Sequence, residues 1–414
     1  MKTNLRYIAF TSALGSALEY YSFVIYILLA AYFGKLFFPA ASPHAALLNT
    51  LLVFAVGYIA APLGAGVFSF IADRIGRKHT MVCALTLMAV ATFAIGLLPT
   101  YQSAGMLATG LLVLLRFTQG LAQGAEIPGA ITFMSEHAQD KHQAALCGLL
   151  FFAVGMGALL STLVNYILTS ILNEQEVLNY GWRIPFLFAG ILGIIGYKIR
   201  TRVAETPLFS AQKPEELARF PLVTLFKTCG SKLIIGLGLV WSGATLVNFG
   251  LFLPTFLQTY FGYAARDTYL AMTLGFALDF LLIVFGVLAD RIKVKRFYLI
   301  GVVIDLILIA PIFGLLQTKT LVALYGFNLL FHLLVLFLAA GYPTMLARLF
   351  PTKIRYSGIA FSYLIAYSVA GLIPFVTTWL YVNCCGLHGI VTFFVVSLGL
   401  SLGAGIFYQD KQLK

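Results

Sequence analysis

The sequence predicts an all-α integral membrane protein, with twelve transmembrane helices in two six-helix bundles and both termini in the cytoplasm. Three observations predict it: the composition, the number of apolar stretches and the placement of the basic residues. Of 414 residues, 60% are hydrophobic and only 10% are charged, and the mean hydropathy is +0.94. A soluble domain usually carries about 25% charged residues, so the composition disfavours a water-soluble enzyme or nucleic-acid-binding protein.

Twelve stretches have the length and hydrophobicity of a membrane-spanning helix. A helical span needs roughly 20 mainly apolar residues, whereas the strands of a membrane β-barrel would alternate over short segments. The first stretch is too long for a signal peptide and contains Glu19, so it is interpreted as a retained helix. The predicted spans are 8–33, 47–70, 80–98, 105–134, 144–170, 182–200, 229–257, 268–288, 297–316, 320–347, 357–382 and 387–408.

The basic residues predict which ends of the spans face the cytoplasm. With the N-terminus placed inside, four of the 27 Lys and Arg residues fall on the outer side and Arg116 falls within a span, which leaves 22 on the inner side. Cytoplasmic loops carry such an excess of Lys and Arg. The net charge of +12 is therefore explained by membrane topology and does not indicate a nucleic-acid partner.

An internal duplication predicts the division into two halves. The tetrapeptide Ala-Asp-Arg-Ile occurs at 72–75 and again at 289–292, each time directly after an apolar span. The longest charged stretch lies midway between the copies. The predicted organisation is therefore an N-terminal six-helix bundle at 1–200, a cytoplasmic central loop at 201–228 and a C-terminal six-helix bundle at 229–414.

Several motifs resemble those of the major facilitator superfamily. The segment GVFSFIADRIGRK at 66–78 is similar to the loop signature of that family, with Ser69 in place of Gly. LGSALEYYSFVIY at 14–26, RFTQGLAQGAEIPGA at 116–130 and RLFPTKIRYSGIAFSY at 348–363 resemble the metabolite:proton symporter branch, which includes proline/betaine, citrate, 2-oxoglutarate and shikimate transporters. The resemblance implies two six-helix halves that rock around a substrate site near the membrane midplane.

The chain departs from the branch at positions that bear on coupling and gating. Ser22 stands where the branch usually has Asp, and Arg348 stands where it often has Glu. The second loop copy reads Lys-Val-Lys-Arg at 293–296 instead of Gly-Arg-Arg. We therefore expect a weaker gate contact in the second half, with Arg348 repelling its neighbours.

Ionisable groups inside a membrane are costly and are therefore candidates for a functional role. Helix 4 carries a polar stripe, since Arg116, Gln119, Gln123 and Glu126 share one arc of the predicted helix. The stripe either lines the transport cavity or forms a structural polar seam between helices. In helix 1, Glu19, Ser22 and Tyr26 share a face with small residues, which is explained either by cavity lining or by tight helix packing.

The C-terminal half contributes a second set of candidates. Its members share helix faces on predicted helices 7, 10 and 11, and the alternative interpretation for each is packing between helices. Asp279 and Asp305 are explained as readily by hydrogen bonding between helices or by protonation in place. The candidates are Trp241, Asn248, Tyr325, Asn328, His332, Tyr363 and Tyr367.

Gating residues are assigned mainly by the family resemblance. The resemblance implies that Asp73 closes the cytoplasmic gate, with Arg74 or Arg77 available to pair with Glu136. A carboxylate there suits the N-terminus of a neighbouring helix, and the alternative is a solvated charge run. In the second half, Asp290 and Arg291 would take the corresponding role.

The predicted function is secondary active transport of a small carboxylate-bearing metabolite, namely an organic acid, an amino acid or a betaine. No Walker-type loop for ATP is present, so the proton gradient is the expected energy source. Expected partners are the substrate, protons and the lipid bilayer, without nucleic acid, cofactor or metal, for a monomer in the bacterial inner membrane. The alternatives are a uniporter or exchanger, suggested by Ser22, and a non-transporting membrane sensor; an enzyme is disfavoured because no catalytic motif is present.

Overall fold

The computed structural model describes the backbone of residues 5–39, 42–75, 77–124, 126–137, 142–201, 221–351 and 354–409. Within these ranges every regular element is a helix. The side chains of 5–13, 69–75, 77–78, 133, 136–137, 200, 221–224 and 227–228 are not described. The all-helical fold class predicted from hydropathy is confirmed.

The described residues of the N-terminal half form ten helices, one of them preceded by a π-helical turn at Val177–Gly181. They are α1 Leu5–Leu28, α2 Ala30–Phe37, α3 Pro43–Ile75, α4 Arg77–Leu97, α5 Tyr101–Ala104, α6 Met106–Gln123, α7 Glu126–His137, α8 Gln143–Ile171, α9 Glu174–Glu176 and α10 Arg183–Thr201.

The C-terminal half contains eight α-helices among its described residues. They are α11 Pro221–Phe261, α12 Ala265–Ala277, α13 Leu281–Ile292, α14 Val294–Leu315, α15 Leu321–Leu349, α16 Arg355–Ala370, α17 Ile373–Asn383 and α18 Leu387–Phe407. Short 3₁₀ segments occupy Leu278–Phe280, between α12 and α13, and Leu316–Thr318, after α14.

The described helices account for the predicted number of spans. Ten helical segments are long and apolar enough to cross a membrane. Two bent pairs, with a bend of 62° at α1–α2 and of 46° before α10, raise the number to twelve if each pair is one span. Each predicted window overlaps one of these segments, because the length of an apolar helix is dictated by the thickness of the bilayer.

Four of the predicted continuous spans are broken, and the first of them, at 8–33, divides at Leu29 between α1 and α2. The span at 105–134 divides between α6 and α7, that at 268–288 contains the 3₁₀ segment, and that at 357–382 divides between α16 and α17 at Gly371. Hydropathy does not detect such breaks, because a broken helix can keep an unbroken apolar composition. The predicted central loop is also partly helical, since α11 begins at Pro221 and continues past the non-helical backbone of Cys229; residues 202–220 lie outside the described ranges.

The two halves meet along several pairs of helices, of which three make the largest contribution. Helix α8 packs against α12 and α13, and α3 packs against α16. Glycines bring α8 close to its partners: a Cβ on Gly148 would overlap the backbone of Leu282, and a Cβ on Gly286 would overlap the backbone of Ala144. Small residues permit such close approach between membrane helices, so the surface between the halves is tightly packed.

Candidate substrate-binding site

A small pocket lies between the two halves near the middle of the spans. Its lining comes from α1, α3, α6 and α7 of the first half and from α16 of the second half. The residues that line it are Tyr20, Tyr58, Ala61, Gln123, Ile127, Tyr363, Leu364 and Tyr367. The lining is therefore aromatic and uncharged, with one carboxamide.

Four tyrosines dominate the pocket, and their rings are arranged around it. The rings of Tyr363 and Tyr367 stack with their centroids 4.3 Å apart. The ring centroid of Tyr58, in the first half, lies 6.1 Å from that of Tyr367, in the second half. Below them, the Tyr342 hydroxyl lies 3.5 Å from the Tyr367 hydroxyl. Aromatic faces carry negative electrostatic potential and attract cations, so the rings around the pocket can contact a positively charged group.

The pocket also has polar atoms that no described residue satisfies. The Oε1 of Gln123 and the hydroxyl of Tyr58 are buried without a hydrogen-bond partner among the described residues, although Asn248 of α11 approaches the Tyr58 hydroxyl. Buried polar atoms normally find partners. The Oε1 of Gln123 is therefore available to bind a polar solute.

The predicted polar stripe of helix 4 is divided in the structure. Gln123 lines the pocket, whereas Arg116 and Gln119 lie fully buried in the interior of the N-terminal half. Glu126 lies on α7, beyond the break, and accepts a 2.7 Å hydrogen bond from the Ser16 hydroxyl of α1. Glu19 is also buried, with 4% of its surface exposed.

Arg116 is held by aromatic rings and a backbone carbonyl. Its guanidinium carbon lies 4.5, 4.7 and 5.6 Å from the ring centroids of Tyr26, Phe23 and Phe54. Its Nη1 donates to the Phe23 carbonyl at 3.2 Å and to Oε1 of Gln119 at 2.7 Å. This arrangement corresponds to a structural polar seam inside one half, and Arg116 is absent from the pocket lining.

Two further helix 1 candidates also point away from the pocket. The Ser22 hydroxyl donates to the Leu18 carbonyl of its own helix at 3.1 Å, and the Tyr26 hydroxyl donates to the Thr50 carbonyl at 3.0 Å. Gln119 connects this region to α4, because its Nε2 donates to Thr92 Oγ1 at 2.7 Å. Ser22 and Tyr26 thus belong to the packed interior of the N-terminal half.

The candidates of the C-terminal half are only partly brought together. Tyr363 and Tyr367 line the pocket, and Asn248 lies next to it, with its Nδ2 bonded to the Ala244 carbonyl of its own helix. Trp241 lies on α11, as Asn248 does, but it is only partly buried and does not line the pocket. Its Nε1 has no hydrogen-bond partner among the described residues.

Helix α15 places its three candidates against α12 and not in the pocket. His332 packs on the Phe276 ring, with centroids 4.5 Å apart, and its Nδ1 lies 3.2 Å from the Asn328 carbonyl. Asn328 donates to the Leu324 carbonyl, and Tyr325 lies farther out, near Arg266. His332 is thus covered by a neighbouring helix.

The halves contact each other at the end predicted to be cytoplasmic. The carboxylate of Asp290, at the end of α13, accepts hydrogen bonds from the backbone N–H groups of Ala144 and Ala145 at 3.1 and 3.0 Å. These groups are at the N-terminus of α8, where a carboxylate is favoured by the helix dipole. Arg348 donates to Oε1 of Gln143 at 2.7 Å, so it adds a contact between the halves instead of repelling them. Arg291 is exposed.

The gate predicted for the first half stays a prediction. Asp73, Arg74, Arg77 and Glu136 lie outside the residues whose side chains are described.

At the opposite end of the molecule, the Tyr269 hydroxyl donates to the Leu28 carbonyl at 2.6 Å, and Thr273 bonds to Thr162 at 3.0 Å. The described helices therefore make contacts between the halves on both sides of the pocket.

Tyr20 and Tyr58 were not among the residues predicted for the site. Tyr20 follows Glu19 directly, but the helical pattern placed it off the polar face of helix 1, and Tyr58 lies in an apolar run. A tyrosine in such a run is more often a packing residue. Only the position of a neighbouring helix from the other half identifies these rings as pocket residues.

Comparison with known proteins decides the family. A model of the major facilitator superfamily matches residues 8–374. The chain belongs to the major facilitator superfamily. The resemblance noted from the loop and helix motifs is thereby confirmed. Because the family consists of transporters, this facilitator is a multi-pass membrane transporter and not an enzyme.

Curated relatives agree over nearly the whole chain. The glycine betaine/proline/ectoine/pipecolic acid transporter OusA of Dickeya dadantii is 31% identical over 97% of this chain and 83% of its own length. The proline/betaine transporter of Escherichia coli is 31% identical, covering 89% and 76%. The inner membrane metabolite transport protein YhjE of Escherichia coli is 31% identical, covering 97% and 93%.

Solved structures share the fold at lower identity. The proton:xylose symporter XylE bound to 6-bromo-6-deoxy-D-glucose superposes with a TM-score of 0.74 and 16% identity, covering 97% of this chain and 94% of that one. An inward open conformation of XylE from E. coli gives a TM-score of 0.71 at 16% identity, covering 99% and 97%. Such identities bear on the fold alone.

Among the described residues, no group of three or more His, Cys, Asp or Glu side chains is arranged to hold a metal ion. The polar groups that line the pocket are tyrosine hydroxyls and the carboxamide of Gln123. This chemistry is suited to binding a polar solute.

Proposed function

We propose that this facilitator takes up a small carboxylate-bearing zwitterion, of the betaine or amino-acid type, and couples uptake to the entry of protons. The observation that carries the proposal is the closed pocket of four tyrosines and one glutamine between the halves. An uncharged lining favours a solute without net charge, because a net charge brought from water into such a pocket would lack a counterion.

The pocket offers complementary groups to both ends of such a solute. The ring faces of Tyr58, Tyr363 and Tyr367 provide cation–π contacts to an ammonium group, worth up to about 2 kcal/mol where water is excluded. Tyrosine hydroxyls and the amide of Gln123 can donate to a carboxylate. A dicarboxylate would place two negative charges against these rings and is disfavoured.

The names of the relatives support the same substrate class. OusA is named for glycine betaine, proline, ectoine and pipecolic acid, and the Escherichia coli relative is named for proline and betaine. We extend this class, though no single member of it, to the present chain.

Transport would proceed by rocking of the halves 1–200 and 229–414, joined by the central segment 201–228, in a chain that acts as a monomer. The contacts at both ends of the pocket support an occluded state between the outward-open and inward-open states. Breaking one set of contacts at a time would give alternating access.

Buried carboxyl groups support proton coupling. Glu19 and Glu126 are 4% exposed, and in sequence they are next to Tyr20 and Ile127, which line the pocket. A carboxyl group in a poorly hydrated site favours its neutral form, so it can take up a proton in one state and release it in another. Glu19→Gln should therefore abolish accumulation driven by a pH gradient while exchange of labelled for unlabelled substrate continues.

A uniporter or exchanger on the same fold is the alternative that one observation favours. Ser22 carries no charge and is bonded within its own helix, so the acid usual at this position in the symporter branch is missing. A carrier of this kind would exchange substrate but would not accumulate it against a gradient.

Purified protein in proteoliposomes tests the proposal. Uptake of labelled glycine betaine, proline and 2-oxoglutarate would be measured with and without an inward proton gradient. We expect accumulation of the two zwitterions only with the gradient, and little of the dicarboxylate. Exchange without gradient-driven accumulation would support the uniporter alternative, and absence of all uptake from well-folded protein would support a sensor.

A further inference from the structure

The break between α12 and α13 places an acidic side chain on the surface where the halves meet. Asp279 is the central residue of the 3₁₀ segment Leu278–Phe280, which separates the two helical parts of this span. A stretch of 3₁₀ helix within a longer helix often marks a hinge. Its neighbours Ala277 and Phe280 are exposed, whereas Asp279 turns inward and is only 5% exposed.

Asp279 packs directly on the opposite half. A Cβ on Gly155 of α8 would overlap the Asp279 carboxylate, so only glycine at this position leaves room for the acid. On its other side Asp279 is close enough to Tyr20 of α1 to interact electrostatically. Because Tyr20 lines the central pocket, the acid lies next to that pocket and belongs to the moving surface.

The Asp279 carboxylate has no compensating partner among the described residues, since none of them forms a hydrogen bond or ion pair with it. The ion pair that the described residues form is Lys35–Glu174, at the surface and on other helices. An ionised carboxylate without a partner is very costly at low hydration. With the halves packed together, Asp279 is therefore stable as the neutral acid.

The titratable groups around Asp279 do not offer an alternative counter-charge. The α8 sequence has no Asp, Glu, Lys, Arg or His, and its titratable residues Cys147 and Tyr166 lie about 12 and 16 Å along the helix from Gly155. From α15, His332 packs on Gly275, one turn before Asp279. The remaining charged or titratable groups on α1 and α12–α15 are Glu19, Tyr20, Tyr21, Tyr26, Arg266, Asp267, Tyr269, Asp290, Arg291, Lys295, Arg296, Tyr298, Asp305, Tyr325, Tyr342 and Arg348 among the described side chains.

We propose that Asp279 is a proton-binding site of the C-terminal half, which holds a proton while α8 is packed against it and releases the proton when the halves separate. The inference rests on the proposed proton-coupled function and adds a site to it. Separation of α8 would hydrate the carboxyl group, which then ionises, and closure would require that a proton return. One bound proton is thus linked to the closed arrangement of this surface.

Infrared difference spectroscopy on the reconstituted full-length protein tests this without any substrate. A change of pH should change the carbonyl band of protonated carboxylic acids, and Asp279→Asn should lose one titrating component of that band. Asp305→Asn is the matched control, because Asp305 is also a buried acid of the same half but is not on the α8 surface. An unchanged titration in Asp279→Asn would overturn the proposal.

Two further measurements keep the proposal testable if that variant folds poorly. Gly155→Ala leaves the acid in place but prevents α8 from approaching it, so the band of the protonated acid at neutral pH should become smaller. In vesicles that exchange labelled proline, the exchange rate of wild type should depend on pH by at most about tenfold per unit for one proton, and Asp279→Asn should lose that dependence. If both variants behave as wild type, Asp279 binds no functional proton.

The two proposals can fail separately. If wild type exchanges proline but does not accumulate it, proton coupling fails, yet a titrating component lost in Asp279→Asn still identifies the site. If wild type accumulates proline and the component survives in Asp279→Asn, only the assignment of Asp279 fails.

Discussion

Two buried ionisable groups, Arg116 and Asp279, have different surroundings. Arg116 lies in the interior of one half, and Asp279 lies on the surface between the halves. Arg116 is enclosed by residues of its own half: three aromatic rings, a carbonyl and a glutamine. Asp279 lies against a glycine of the opposite half. A rocking motion keeps the surroundings of Arg116 and changes those of Asp279. Burial alone therefore does not mark a group as part of the transport cycle.

The largest expected effect is on stability, when Arg116 is replaced. Arg116→Lys keeps the charge but loses the planar group that contacts Tyr26, Phe23 and Gln119. We expect the free energy of unfolding to fall by about 3 kcal/mol, the scale for disrupting a buried charge, while the surviving protein keeps its affinity. Thermal unfolding in detergent and equilibrium binding of glycine betaine would measure both. Normal stability with lost affinity would instead assign Arg116 to substrate.

The next effect concerns substrate affinity at the boundary between the halves. Tyr367→Ala removes a ring of the pocket, and we expect about tenfold weaker binding, because a desolvated cation–π contact is worth about 1–2 kcal/mol. Tyr367→Phe keeps the ring and should stay close to wild type. Tyr325→Ala, outside the pocket, is the control. Equal losses in the Tyr367→Ala and Tyr325→Ala proteins would argue against the tyrosine pocket as the binding site.

A smaller effect is expected on turnover from the contact of α13 with α8. Asp290→Asn weakens two charge-assisted hydrogen bonds to Ala144 and Ala145, each worth about 1.5–3 kcal/mol at most. Because Asn can still accept one bond, we expect the rate to change by about fivefold and the affinity to change little. Exchange kinetics would show this, with Arg291→Gln as an exposed control. A large loss of affinity would place Asp290 in the binding site instead.

The smallest effect should come from a charge pair outside both regions. Lys35 and Glu174 are bonded at 2.6 Å, but their side chains are 59% and 66% exposed. Exposed ion pairs contribute about 0–1 kcal/mol. Lys35→Met should therefore leave thermal unfolding and transport close to wild type, and a marked destabilisation would show that solvent does not screen this site as its exposure suggests.

The spans could be predicted from the sequence because hydrophobic length alone determines them. Every predicted window overlaps a described apolar segment. The break at Asp279 could not be predicted, because the composition on both sides remains apolar and the sequence there has no proline. The break at Gly371 has a local signal, since Pro374 lies in the first turn of the helix that follows it, but hydropathy does not register that signal. The order of helices was thus accessible, and their local geometry was not.

The candidate site was predicted only in part, for a related reason. Helical periodicity predicted one polar stripe on helix 4, but the structure divides it, because the two ends of the stripe face different neighbours. Tyr363 and Tyr367 line the pocket, whereas His332 is covered by α12. A pattern on one helix identifies a face, and only the arrangement of the other helices determines what that face meets.

The glycines of α8 also have a consequence for biogenesis. Domains synthesised first fold first, so α8 enters the bilayer while α12 and α13 are still on the ribosome. Until they arrive, the hollows at Gly148 and Gly155 are covered by lipid chains alone, and these must leave before Leu282 and Asp279 can fit. The surface between the halves is thus among the last parts of the transporter to assemble. In a nascent chain arrested before residue 265, the α8 side of that surface remains uncovered in the membrane.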